Sequence, residues 1–243
     1  TTEIYTLSLH DALPIYTATG HGGAIIATSN GGTTGLEVYS SEFSGNTAKT
    51  GSAISISNSN LTIENTKFTS NTASGYGTVY LGSGATANIT GSEFKSNTAN
   101  VGSAIYASAT SVANISNTVF DSNNALTFGT VRNEGNMTIS DSTFKENTAK
   151  SASAISNTGS MVIRDSKFIS NSTSDADISA ALYNAGELTI YDSSCENNTT
   201  LNANLGGAIY NNGKTITAVL LQTTARFRSQ ILSLADKQLI LAT

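Results

Sequence analysis

Residues 93–106 read EFKSNTANVGSAIY, a run of small polar side chains punctuated by Phe94, Val101 and Ile105. Nothing in it looks catalytic; what matters is that it recurs. Phe43, Phe68, Phe94, Phe120, Phe144 and Phe168 follow one another at 25, 26, 26, 24 and 24 residues, and Cys195 takes the next slot after 27. Three residues after each stands an asparagine: Asn46, Asn71, Asn97, Asn123, Asn147, Asn171 and Asn198. Five residues before each stands a β-branched one: Val38, Ile63, Ile89, Ile115, Ile139, Ile163 and Ile190. Downstream, a small-small-apolar element ends on Ile54, Val79, Ile105, Val131 and Ile155, each eight residues past its Asn, then on Leu182 and Ile209 at eleven. Self-similarity at such a period is the signature of a repeat architecture.

Around these anchors apolar and polar residues alternate, as in LTI at 61–63, MTI at 137–139, MVI at 161–163 and LTI at 188–190. Alternation at period two marks a strand. Each unit therefore offers three short strands joined by turns rich in Asn, Gly and Ser, and leaves no room for a helix. Three such strands in 24 to 27 residues describe one coil, so the chain is expected to be all-β, a single-stranded parallel β-helix of about eight coils. Coils stacked about 4.8 Å apart would lay the Phe residues over one another as an internal ladder. The Asn residues would form a second ladder at a turn, where Asn tolerates left-handed torsions. Cys195, in a Phe slot, reads as a small buried hydrophobe rather than a nucleophile. A leucine-rich repeat has a similar period but requires L-x-x-L-x-L, which is missing.

GGAI stands at 22–25 and 206–209, GSAI at 51–54 and 102–105, softening to GTV at 77–79 and 129–131, SAI at 153–155 and AAL at 180–182. Their alternation with FxxN resembles the repeat of the polymorphic outer membrane proteins and related adhesin-like right-handed parallel β-helix proteins, over roughly residues 20–213. That resemblance implies a right-handed solenoid. It also implies a surface-exposed or secreted passenger region linked to adhesion, located extracellularly or at the cell surface, and outer membrane-associated if bacterial. The translocating barrel of the bacterial family has no counterpart in these repeats.

Charged residues make up 12% of the 243, against roughly 25% in an ordinary soluble domain, and the formal net charge is -5. The 12 Lys and Arg form no run, which argues against nucleic acid, whose binders neutralise phosphates with a basic patch. A single Cys allows no intrachain disulfide and no multi-thiolate zinc site. No window approaches the roughly 18 apolar residues of a membrane-spanning helix. No cofactor is implied, and the expected partner is an unidentified macromolecule, a cell surface or a polysaccharide.

The ends depart from the repeat. Residues 3–15, EIYTLSLHDALPI, resemble a peptide obtained when sequencing-adapter DNA is translated into a gene model. On that resemblance residues 1–16 are a non-native segment and the true N-terminus is missing; the alternative is a strand that caps the fold. Residues 17–217 form the repeat domain. The tail, 218–243, loses the Asn, Gly and Ser character; Phe227, Ile231 and Leu234 fall at helical spacing, consistent with a short capping helix or with a truncated tail.

Parallel β-helices also carry polysaccharide-cleaving enzymes, whose chemistry rests on acidic side chains. Two residues past the apolar anchor stand Asn65, Gly91, Asn117, Asp141, Asp165 and Asp192. The last three would stack as a column of carboxylates, a candidate Ca²⁺ site or acid pair with Arg164, and also Lys167, close in sequence. The plainer reading is that Asp and Asn interchange at a solvated turn. His21, in TGHGGAI, superficially resembles the GHG of polygalacturonase-like enzymes, but those need partner acids, and Glu37 and Glu42 are the only ones nearby. His10 lies in the divergent N-terminal segment. Seven Asn-x-Ser/Thr triplets occur, at Asn60, Asn88, Asn114, Asn136, Asn171, Asn197 and Asn198, as chance would supply in so polar a chain. The leading expectation is a β-helical rod that binds a macromolecule or glycan. The alternative is a pectate-lyase-like lyase or hydrolase using Asp141, Asp165 and Asp192.

Overall fold

The structure, a computed structural model, describes residues 4–8, 15–29, 35–174, 181–200, 207–213, 215–219, 222–224, 232–234 and 239–242. Alternation decides which side chains turn inward: Phe94 is buried between outward Glu93 and Lys95, and Ala87 and Ile89 are buried along Thr86–Thr90. A unit this short cannot bury its inward residues alone, so each lies flat on its neighbours. The strands wind into a parallel β-solenoid of about seven turns. A central unit contributes one strand to each of four sheets, as Thr86–Thr90, Glu93–Lys95, Thr98–Val101 and Ile105–Ala107 do. A ten-stranded sheet carries the Val38 to Ile190 anchors, and an eight-stranded sheet carries the Phe residues. A six-stranded sheet runs from Thr47–Thr50 to Ser172–Thr173, and a nine-stranded sheet from Ile25–Thr28 to Leu232–Leu234. In the eight-stranded sheet register is kept residue for residue, Phe94 pairing with Phe68 on one side and Phe120 on the other, whereas the six-stranded sheet shifts register within its strands.

Four strands per coil, rather than three, is a correction to the sequence reading. The additional strand follows the ladder Asn, as in Thr98–Val101. Its inward residue is an alanine in five successive units, Ala48, Ala73, Ala99, Ala125 and Ala149, all buried. A lone methyl gives too little apolar contrast to stand out among Thr, Asn and Ser. The tail corrects a second expectation, since Leu232–Leu234 is a strand paired with Ile209–Asn211 and not part of a helix; Phe227 and Ile231 lie outside the described residues. At the other end Ile4–Ser8 pairs in parallel with Gly35–Tyr39. Among the described residues no helix is long and apolar enough to cross a membrane.

Inside, the six Phe rings are fully buried and lie nearly parallel. Successive centroids are 4.4 to 5.2 Å apart and planes differ by 7 to 14°. Burial of each contributes about 1.5 to 3 kcal/mol, with a further ~1 kcal/mol from ring contact. Cys195 continues the column beyond Phe168.

Three polar ladders run beside the rings, at turns where backbone groups would otherwise be buried without partners. In the first, the Oδ1 of each FxxN asparagine accepts from both the backbone N–H and the side-chain amide of the Asn one coil earlier, at 2.9 to 3.1 Å. Its own Nδ2 also donates to the carbonyl of the preceding coil's Phe, as Asn97 does to Phe68 at 2.9 Å. Tyr16 tops this column, its backbone N–H donating to Asn46 Oδ1 at 3.0 Å. The second ladder stands two residues before each Phe slot: Ser41, Thr66, Ser92, Thr118, Ser142, Ser166 and Ser193, all buried. Each of these hydroxyls donates to the carbonyl two residues back, as Ser142 does to Ser140 at 2.7 Å, and most also accept the N–H of the coil before, as Ser142 does from Thr118 at 3.2 Å. The third joins Asn133, Asn157, Asn184 and Asn211 by side-chain bonds of 2.7 to 2.8 Å.

The small-small-apolar element turns sharply because its first residue is left-handed: Gly22, Gly51, Gly77, Gly102 and Gly129 have φ between 57 and 62°. In the next unit Ala152 holds that slot at φ 54°.

Candidate functional site

Because the ladders consume the interior, the side chains capable of chemistry lie outside. The aspartate column does form. Backbone bonds from Asp141 N–H to Arg164 O and from Asp165 N–H to Tyr191 O, each 3.2 Å, keep Asp141, Asp165 and Asp192 on consecutive coils. All three occupy the same left-handed turn slot as Asn65, Gly91 and Asn117, with φ between 45 and 60°. All are exposed. A short side chain that tolerates this torsion is what the slot selects, and Asp, Asn and Gly share that property. Arg164 points outward on the adjoining strand, its guanidinium 4.1 Å from the centre of the Tyr191 ring, while Lys167 lies on the neighbouring sheet. The Ca²⁺ reading does not fit this geometry: among the described residues no group of three or more His, Cys, Asp or Glu side chains converges so as to hold a metal ion.

His21 bridges to Thr50, whereas Glu37 and Glu42 lie on two other sheets, so the acids beside it in sequence are not its neighbours. His10 lies outside the described residues. Cys195 is buried, and burial, with Glu196 adding to it, pushes its thiol up to about 12, the behaviour of a core side chain. Of the Asn-x-Ser/Thr triplets, Asn60, Asn88, Asn114 and Asn136 are exposed on the ten-stranded sheet. Asn171 is fully buried in its ladder and closed to modification.

A feature absent from the sequence reading lies on the nine-stranded sheet. There the residue after each inward Val79, Ile105 and Val131 faces out, which places Tyr80, Tyr106 and Arg132 side by side on consecutive coils. The Tyr80 and Tyr106 rings stack with centroids 5.4 Å apart and planes 14° apart. Tyr76 leans on both from the preceding strand, 4.6 Å from Tyr106 at 47° and 6.3 Å from Tyr80 at 36°, and is 41% exposed. It reaches them through a register shift. Tyr76 pairs with Val101 although Ala73 pairs with Ala99, since its strand is one residue longer. The His21 ring borders Tyr80 at 6.3 Å.

Arg132 closes the other side. Its Nε and Nη2 donate to Glu134 Oε1 at 3.2 and 3.1 Å, and its Nη1 donates to Ser156 Oγ at 2.7 Å. Its guanidinium also lies 5.9 Å from the Phe128 ring centre. Burial first, and then the Glu134 carboxylate beside the hydroxyl, push the Tyr106 phenol far above its ordinary range. It therefore remains a protonated donor.

No family model, no curated protein and no solved structure matches the chain.

Proposed function

We propose that the chain is a surface-exposed or secreted β-helical rod, an adhesin-like passenger region whose outer faces contact a macromolecule or glycan outside the cell. One observation carries this reading: the ladders run unbroken from Phe43 to Cys195 while tyrosines gather along one outer face, Tyr76, Tyr80 and Tyr106 together and Tyr183 stacked on Tyr210 further along. Solenoid faces of this kind offer long, flat binding surfaces. With 12% charged residues they select by shape and hydrogen bonding more than by field. The test is a screen of the purified chain against immobilised glycans and against whole cells; binding to either is expected, and silence on both removes the reading.

The competing reading, a lyase or hydrolase, draws its support from the stacking of Asp141, Asp165 and Asp192. Its weakness is that Arg164 is engaged with Tyr191 and the acids occupy a slot that Asn and Gly fill equally well. Release of unsaturated oligosaccharides, abolished in Asp165→Ala, would install it instead.

A further inference from the structure

The tyrosine cluster deepens the binding reading and rests on it. We infer that Tyr76, Tyr80 and Tyr106, with Arg132 and Glu134 beside them, form a docking platform for a neutral carbohydrate chain. A sugar ring has an apolar face of C–H groups and a rim of hydroxyls. An aromatic ring with a polar tip offers the complementary pair, an apolar body and a hydrogen-bonding end. The three tyrosines supply a bent aromatic surface because Tyr76 is tilted by 47° and 36° to the other two. Tyr80 and Tyr106 hold each other in place by stacking, so little side-chain freedom remains to be lost on binding.

Charge and size narrow the occupant. Arg132 and Glu134 form an ion pair at 3.1 Å, so the platform carries a strong donor and a strong acceptor with no net charge. That suits a hydroxyl-rich neutral ligand and gives no advantage to uronates, sulfated glycans or nucleic acid. Three tyrosines on neighbouring coils also fall well short of the roughly 800 Å² that each partner contributes to a stable protein interface, whereas one or two sugar units need no more. The rungs repeat about every 4.8 Å, comparable with the length of one sugar ring, so successive coils can meet successive units of a polymer.

The test is titration calorimetry of the purified chain with neutral hexaoses (cello-, manno-, xylo- and chitohexaose) and with hexagalacturonate, beside binding to whole cells. Tyr emission provides a second readout, because the chain has nine Tyr and no Trp. At least one neutral hexaose is expected to bind and perturb Tyr emission. Affinity should fall at least about tenfold in Tyr76→Ala and in Glu134→Gln, with no change in Val112→Ala on the ten-stranded sheet. Circular dichroism melts establish that Tyr76→Ala, exposed in the native chain, is folded. Neutral hexaose binding that Tyr76→Ala leaves intact overturns the platform and spares the rod; so does binding to hexagalacturonate alone, or to cells with no glycan. No binding to anything overturns both.

Discussion

Asn71 and Asn97, 26 residues apart in sequence, are joined through a single oxygen: Asn97 Oδ1 accepts the backbone N–H of Asn71 at 2.9 Å and its side-chain amide at 3.0 Å. Asn97 in turn donates to Phe68 O and to Asn123 Oδ1. One side chain thus satisfies groups on both neighbouring coils, in a turn where no water reaches.

Removing it should therefore cost more than an ordinary hydrogen bond. Asn97→Ala strands several buried polar groups at once, each worth about 1 to 3 kcal/mol, and is expected to lower stability by upwards of about 3 kcal/mol in urea melts. Asn97→Asp keeps the accepting oxygen but sets its second oxygen against two acceptors, Phe68 O and Asn123 Oδ1. The carboxyl is then favoured in its protonated form, with a folded pKa above the unfolded value of about 3.9. Relative to wild type, Asn97→Asp should lose stability as pH rises from 3.5 to 7. A pH-independent deficit would refute this account of the ladder.

The ring column makes a positional prediction. Phe94 stacks on Phe68 and Phe120, whereas Phe168 has one ring neighbour, Phe144, and Cys195 on its other side. Phe94→Ala should cost about 3 to 5 kcal/mol and Phe168→Ala about 1 kcal/mol less, as read from paired denaturation curves. Equal losses would mean that ring contact adds nothing to burial.

A stabilising change is available at Ala152, which holds a left-handed φ of 54° where five other units have glycine. The torsion costs an L-residue about 1 to 2 kcal/mol, partly offset by the greater unfolded-state freedom of glycine. Ala152→Gly should raise stability by about 0.5 to 1 kcal/mol and increase Tm; a decrease would show that the Ala methyl packs more favourably than the torsion suggests.

Acid sensitivity should centre on Asp121, whose side chain is 6% exposed and bonded through Oδ2 to Lys95 and Lys145, each at 3.2 Å. Burial alone would push this carboxyl up. The bonds from Ser122, Lys145 and Lys95 outweigh burial and hold it below the usual range. A depressed carboxyl contributes stability above its unfolded pKa of about 3.9 and loses it as pH falls through the lower folded value. Asp121→Asn should cost about 1 to 2 kcal/mol at pH 7 and flatten the acid limb of the stability profile. An unchanged acid limb would place the sensitivity elsewhere.

The elements that could be read from sequence are those with a fixed interval and a distinctive residue. Phe94, Asn97 and Ile89 recur at constant offsets and lie where stacking requires. The serine and threonine ladder recurs just as regularly, two residues before each Phe, but Ser and Thr are so common here that the regularity is hidden. The third ladder, Asn133 to Asn211, starts midway and announces itself only as N-x-G. The tyrosine cluster was the least legible. Alternation does turn Tyr80 and Tyr106 outward, but Tyr76 meets them only because one strand is a residue longer than the next, a displacement that no period reveals.

The asparagine rows also give the rod an arrow. In every rung of both rows the amide donates to the C-terminal neighbour's amide and accepts from the N-terminal one, so the two ends of a row are chemically unlike. At its upstream end the first row's Asn46 accepts from a backbone donor, that of Tyr16; at the downstream end of the other row, beneath the strand Leu232–Leu234, Asn211 Nδ2 is buried with no partner among the described residues. Whatever continues such a row downstream must bring an acceptor, whatever continues it upstream must bring a donor, and neither can do the other's work.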